Sequence, residues 1–234
     1  MRTLIKMTTV TLILSAAGTA FGAGGGEMPS MPNRSSGSAS RLDSTATPEE
    51  QARNAYNAGV HDVEKADELM ADASRQTDAK KQKKGFDKAR KAYSGALKKF
   101  THATDLNPSM YAAWNYVGYT NRMLGNYEPA LTAYDRALSL KPGYPEAIEY
   151  RGHAYLGLNR LSEAKEAYLA LFSGNRKLAA QLLTAMQAWV GEHRGNPAGV
   201  DGASLESFAS WVSERSTIAS QTAGLTREGA TAAW

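Results

Sequence analysis

Residues 93–108 read YSGALKKFTHATDLNP and residues 127–142 read YEPALTAYDRALSLKP. At an offset of 34, Tyr93, Ala96, Leu97, Phe100, Ala103, Leu106 and Pro108 meet Tyr127, Ala130, Leu131, Tyr134, Ala137, Leu140 and Pro142. A further step of the same length pairs Gly118, Leu124, Ala130 and Tyr134 with Gly152, Leu158, Ala164 and Tyr168, although Pro142 is answered by Arg176. A repeat of this length is the mark of stacked helix pairs, because one pair cannot bury its apolar face alone. The expected fold class is therefore all-α, a solenoid.

Each recurring residue has a packing reason. Gly118 and Gly152 fall midway along a first helix, where a missing side chain lets the second helix approach despite the roughly 1 kcal/mol that glycine costs there. Ala130 and Ala164 do the same from the second helix. Between the helices, Gly125 and Asn159 suit the left-handed conformation that ends a helix. Tyr134 and Tyr168 fill the space toward the next unit, and Pro108 and Pro142 stop one helix before its successor.

These residues resemble the tetratricopeptide repeat. Trp114, Val117, Gly118, Ala130, Tyr134, Ala137 and Pro142 follow its pattern, with Asn121 departing at an aromatic place. The next unit has Ile148, Gly152, Tyr155, Ala164 and Tyr168, with Arg151 and Leu171 departing. The resemblance implies an α-solenoid of about three tetratricopeptide-type helical hairpins with C-terminal capping helices, and a role in binding a peptide or protein segment. It places the repeats at 109–142 and 143–176.

In this family the concave groove is lined by fixed positions of the first helix. Carried over, they are Asn115, Tyr116, Tyr119, Arg122 and Met123 in one unit and Glu149, Tyr150, His153 and Leu156 in the next. The alternative for these tyrosines is packing between neighbouring units. The lysine and asparagine set by which some members clamp a terminal carboxylate is not reproduced, since Tyr119 stands where asparagine belongs.

Upstream, Thr47-Pro48-Glu49-Glu50 reads as a capped helix start. Behind it Ala52, Tyr56, Gly59, Val63, Ala66, Met70 and Ala73 recur at alternating steps of four and three, a coiled-coil seam. Phe86, Ala89, Tyr93, Ala96, Phe100 and Ala103 repeat it, so 47–108 is expected as an elongated hairpin, a divergent first repeat. Its tip is basic, with Lys80, Lys81, Lys83, Lys84, Lys88, Arg90 and Lys91. An anionic partner such as a lipid surface or a polyanion is one reading. Asp67, Glu68, Asp72, Asp78 and Asp87 lie among these cations and favour an ordinary solvated face.

Downstream, Leu178, Leu182, Leu183, Met186, Trp189 and Val190 mark one amphipathic helix. Leu205, Phe208, Ala209, Trp211 and Val212 mark another beyond Gly195-Asn-Pro-Ala-Gly199. Both are expected to cap the array over 177–215. Past Ser216 the apolar period fades, and 216–234 is expected as a flexible tail.

At the other end, Arg2 and Lys6 precede an apolar run of about a dozen residues and then small residues through Ala20 and Ala23. This is the layout of a secretory signal peptide over 1–23, too short to span a bilayer comfortably. A retained anchor is the alternative. The Gly, Ser and Pro-rich stretch 24–46 reads as a disordered linker. The expected location is accordingly periplasmic or secreted, in the manner of exported bacterial repeat proteins.

Composition narrows the chemistry. There are no cysteines, which excludes disulfides, thiolate metal sites and a cysteine nucleophile. Lys+Arg 27 against Asp+Glu 23 gives +4, and two of those cations belong to the signal, a field too weak to imply nucleic acid. His61, His102, His153 and His193 are scattered without the spacing of a helix-borne metal site. No phosphate loop, nucleophile elbow or dinucleotide fingerprint occurs. The reading is a binding protein rather than an enzyme, with no cofactor and no metal.

Overall fold

Thr47 caps the first helix: its hydroxyl accepts from the backbone N–H of Glu50, and the Glu50 carboxylate accepts from the N–H of Thr47 at 2.9 Å. That reciprocal pair satisfies two of the donors a helix start leaves orphaned. The computed structural model describes residues 46–196 and 199–231. The expected signal at 1–23 and all of the expected linker but Ala46 lie outside them.

Among the described residues eight helices follow in chain order. They are α1 (Pro48–Ser74), α2 (Ala79–Leu106), α3 (Tyr111–Met123), α4 (Tyr127–Leu140), α5 (Pro145–Gly157), α6 (Leu161–Gly174), α7 (Arg176–Gly195) and α8 (Gly202–Thr231). No strand occurs among the described residues. The helices pair as four hairpins, α1 with α2, α3 with α4, α5 with α6 and α7 with α8, each hairpin packed on the next. The first helices also lie beside one another, α3 against α5 and α5 against α7. This is an all-α solenoid.

The first hairpin is twice as long as the two that follow, with helices of 27 and 28 residues against 13 and 14. The seam on α1 is buried throughout, from Ala52 to Ala73, against Ala89, Tyr93, Ala96, Phe100 and Ala103 of α2. A rise of about 1.5 Å per residue carries its tip roughly 20 Å past the ends of α3 and α4. The tip is closed by Asp78, whose carboxylate accepts from the N–H of Lys81 at 2.8 Å.

Turns obey the periodic residues. Gly125 and Asn159, one repeat apart, both adopt positive φ, +85° and +58°. Gly118 is where α4 comes closest to α3, since a Cβ there would fall on the Tyr134 ring. Gly152 admits the second helix of its own pair, as expected, and more besides. A Cβ there would meet Leu182 of α7 at 2.7 Å as well as Ala167 of α6 at 3.3 Å. The glycine thus admits the next hairpin too.

The C-terminal hairpin is built around Trp189, 1% exposed, whose indole N–H donates to the Leu156 carbonyl at 3.0 Å. Leu182, Met186, Leu205, Phe208 and Val212 complete that core with Tyr168 and Leu171 of α6. The stretch expected as a flexible tail is helical through Thr231. Its start is held down: Gln187 donates to the Ser216 hydroxyl at 2.8 Å and Ala219 packs on the same core. Nothing from Ser216 to Ala223 breaks a helix, and fading apolar periodicity alone does not end one.

Candidate polypeptide-binding face

Helices α3 and α5 present their groove positions side by side, and the long α1 runs along the same flank. The consequence is uneven. Asn115, Tyr116, Glu149 and Leu156 are buried, so the expectation that all nine residues line an open trough is corrected. Tyr116 stacks on Phe100 with centroids 4.6 Å apart and meets Tyr56 edge-on at 5.6 Å. It is core between the first two hairpins because α1 covers it. Leu156 belongs to the C-terminal core. Asn115 is fully buried with both amide atoms unpartnered.

The other five, Tyr119, Arg122, Met123, Tyr150 and His153, are half-buried. Four of them, with Glu149, form one polar and aromatic cluster. Tyr119 and Tyr150 lie 5.2 Å apart, and the Arg122 guanidinium sits 5.1 Å from the Tyr119 centroid and 5.6 Å from that of Tyr150. Contacts of this kind hold a cation by the negative face of the ring. One turn on, His153 and Glu149 pair at 2.7 Å. Met123 lies apart, packed on the Ala66, Met70, Ala89 and Tyr93 cluster of the long hairpin.

One member escaped the sequence reading. Asp67, taken there as a solubilising acid, is half-buried and accepts hydrogen bonds from Tyr93 and from Tyr119, the latter at 2.8 Å. It stands one residue beyond the seam position Ala66, and that off-register placement beside the seam was the available signal. Burial raises its carboxyl above the ordinary range, while the two tyrosine hydroxyls and Arg122 pull it back. Burial also raises the hydroxyl of Tyr119 well above the usual phenol, helped by the Asp67 charge.

Arg122 is the electrostatic centre. Burial alone would lower its guanidinium, but Tyr134, Tyr119, Glu149 and Tyr150 around it hold it above its ordinary value, so it is a fixed cation. Among the described residues neither its Nε nor the Tyr134 hydroxyl meets a partner at full hydrogen-bond geometry, although Arg122 counters the effect of burial on that hydroxyl. Buried donors of that kind are normally satisfied. Both atoms are closed off from solvent, so a ligand would meet this cluster through its rings and its charge rather than at the Nε.

A cleft between the starts of α6 and α8 offers different chemistry. Arg160, Glu163, Lys165, Asp201 and Ser204 are among its lining residues. Backbone hydrogen bonding and Arg160 hold Glu163 below its usual range, and Ser204 does the same to Asp201. Both are thus fixed as carboxylates rather than poised to give up a proton. Among the described residues no group of three His, Cys, Asp or Glu could hold a metal ion, and no helix is long and apolar enough to cross a membrane.

Residues 77–145 match the tetratricopeptide repeat family. The uncharacterized protein ycf37 of Guillardia theta is 28% identical over 88 residues, 36% of this chain and 49% of that protein. The chain thus spans about half the length of the curated relative it matches. Among solved structures, the second tetratricopeptide domain of human RPAP3, determined by NMR with an HSP70 peptide, is similar over 59% of this chain and 96% of that one. Its sequence identity is 22% and its TM-score 0.42.

Proposed function

We infer that this chain, whose residues 77–145 belong to the tetratricopeptide repeat family, is a non-catalytic interaction module that holds a polypeptide segment on the face formed by α1, α3 and α5. The observation carrying the reading is the half-buried group of Tyr119, Arg122, Tyr150 and His153, in which two tyrosine rings flank a fixed cation. Tyrosine and arginine are the side chains that dominate binding energy at protein interfaces. A segment bringing a carboxylate to this face would meet the Arg122 charge and cover the two tyrosines.

The Met1–Ala23 layout supports export, and with it a place in the bacterial cell envelope. Fractionation of cells expressing the full chain with a C-terminal tag tests this. Tagged protein confined to the cytoplasm, at its unprocessed mass, would remove the envelope from the proposal.

The binding test is a crosslinking pull-down from the envelope fraction, run beside the variant Arg122→Gln with His153→Ala. The expected result is loss of the crosslinked partner with the helical circular dichroism spectrum retained. Unchanged recovery of every partner by the folded variant would show that this face is not the site.

A further inference from the structure

The outward side of α2 has no part in the face just described. All seven cations at 80–91 are exposed, and among the described residues only Lys83 is in an ion pair, with Asp87 at 2.8 Å. At about 100° per residue, Lys80, Lys84, Lys88, Lys91 and Lys98 fall within an arc of roughly 80°. That arc lies opposite the buried line of Ala89, Tyr93 and Ala96. The stripe is straight and about 27 Å long at the usual rise. Lys81 widens it on one side, and Lys83 and Arg90 on the other.

This arrangement works against the helix that carries it. Four lysines lie within the first six residues of α2, whose first turn has no acid. Cations at a helix start oppose the macrodipole, and like charges four apart, as in Lys80 with Lys84 and Lys84 with Lys88, repel. The exposed acids of α1 do not compensate: Asp72 pairs with Arg75 and Glu64 lies 3.8 Å from His61, and among the described residues neither these two nor Glu68 is in an ion pair with a cation of α2. Asp78 caps the helix start and Asp87 pairs with Lys83, but Lys80, Lys84, Lys88 and Lys91 have no ion-pair partner among the described residues, and such a conflict is expected where a partner is supplied from outside.

The chemistry selects the kind of partner. Six of the seven cations at 80–91 are lysines, point charges without the planar fork that recognises single phosphates or carboxylates. No exposed aromatic interleaves them for base stacking. Cations spread over half the circumference of a rigid rod meet more charge on a plane than along one strand. The apolar side of α2 is spent on α1 and α3, which leaves none to insert. We propose that the outward face of α2 docks flat, without insertion, on an anionic phospholipid bilayer through Lys80, Lys84, Lys88, Lys91 and Lys98.

Co-sedimentation of the full chain with vesicles of phosphatidylglycerol and phosphatidylcholine, or of phosphatidylcholine alone, tests it. The chain is expected to sediment more with the anionic vesicles, and the difference should vanish near 1 M salt, where charges are screened beyond about 3 Å. The variant Lys84→Gln, Lys88→Gln, Lys91→Gln should lose roughly a hundredfold in partitioning to anionic vesicles, with its thermal midpoint unchanged or raised. A charge-matched variant, Lys65→Gln, Arg136→Gln, Lys177→Gln, should partition like the parent. Comparing variants in the full chain cancels whatever residues 1–23 add. Equal partitioning of the two variants overturns the proposal. So does binding to soluble polyphosphate but not to vesicles, a salt-sensitive dimer engaging Glu64 and Glu68 of a second copy, or a lowered midpoint in the lysine variant, which would make those lysines structural.

Discussion

The hydroxyl of Tyr119 donates to a carboxylate oxygen of Asp67, 52 residues earlier in the chain, at 2.8 Å. Tyr93 donates to the same oxygen from α2. One acid thus joins three helices, α1, α2 and α3, and fixes the angle at which the long hairpin meets the first short one. It also explains why Tyr119 is only half-exposed. The tyrosine ring faces Arg122 and Tyr150, but its hydroxyl is spent inward.

Replacing Tyr119 by Phe leaves the ring and removes the bond. Hydrogen bonds to charged acceptors are worth about 1.5–3 kcal/mol, and Asp67 keeps a second donor in Tyr93, so a loss of about 1–2 kcal/mol is expected. Urea denaturation measures it. A midpoint equal to the parent's would mean that Asp67 takes an equivalent donor from water and that the bond does not set the packing.

Asp67 should also leave a mark on the pH dependence. Its carboxyl is raised in the folded chain, chiefly by burial. A raised folded value means that its contribution to stability is present below the ordinary carboxylate range, near pH 4, and is lost as pH rises through the raised value. Asp67→Asn cannot titrate, so its stability relative to the parent should improve between about pH 4 and pH 7. Urea midpoints of both proteins at the two pH values check this, and a difference that does not change with pH refutes it.

The repeat was legible because packing in a solenoid is local and periodic. Gly118, Ala130, Tyr134 and Ala137 announce one interface each, and all four are buried where the period puts them. The seam of α1 was legible for the same reason. The candidate face was not, because a family position says which side of a helix a residue occupies and nothing about a longer neighbour. Tyr116 stands at a groove position, yet α1 reaches it with Tyr56 and takes it into the core. Asp67 was missed on related grounds. Its acidity reads as surface in one dimension, and only the meeting of Tyr93 and Tyr119 makes it interior.

Close approach at Gly118 gives a paired prediction. A methyl group there would collide with the fully buried Tyr134 ring, which has no room to withdraw. Overpacking of roughly 1–3 kcal/mol should outweigh the roughly 1 kcal/mol that alanine gains over glycine in a helix. Gly118→Ala is therefore expected to lower the thermal midpoint. In Gly191→Ala, where a Cβ would meet nothing within 4 Å, the midpoint should rise. A rise in both would mean that α3 and α4 can separate without loss.

Leu182 tests how far the hairpins depend on one another. It is fully buried and occupies the space that Gly152 leaves open between α5 and α7. Truncating a buried leucine to alanine costs about 2–5 kcal/mol, the more so where the surroundings cannot collapse. In a stacked array each unit touches only its neighbours, so the loss should be carried by the helices packed around that core, α5 to α8. The long hairpin has a core of its own in Ala66, Met70, Ala89 and Tyr93. Hydrogen exchange on Leu182→Ala should show faster exchange throughout α5–α8 with the protection of α1 and α2 retained. An equal loss in α1 and α2 would show that the chain unfolds as one unit, with the tie between Asp67 and Tyr119 strong enough to carry the disturbance to its far end.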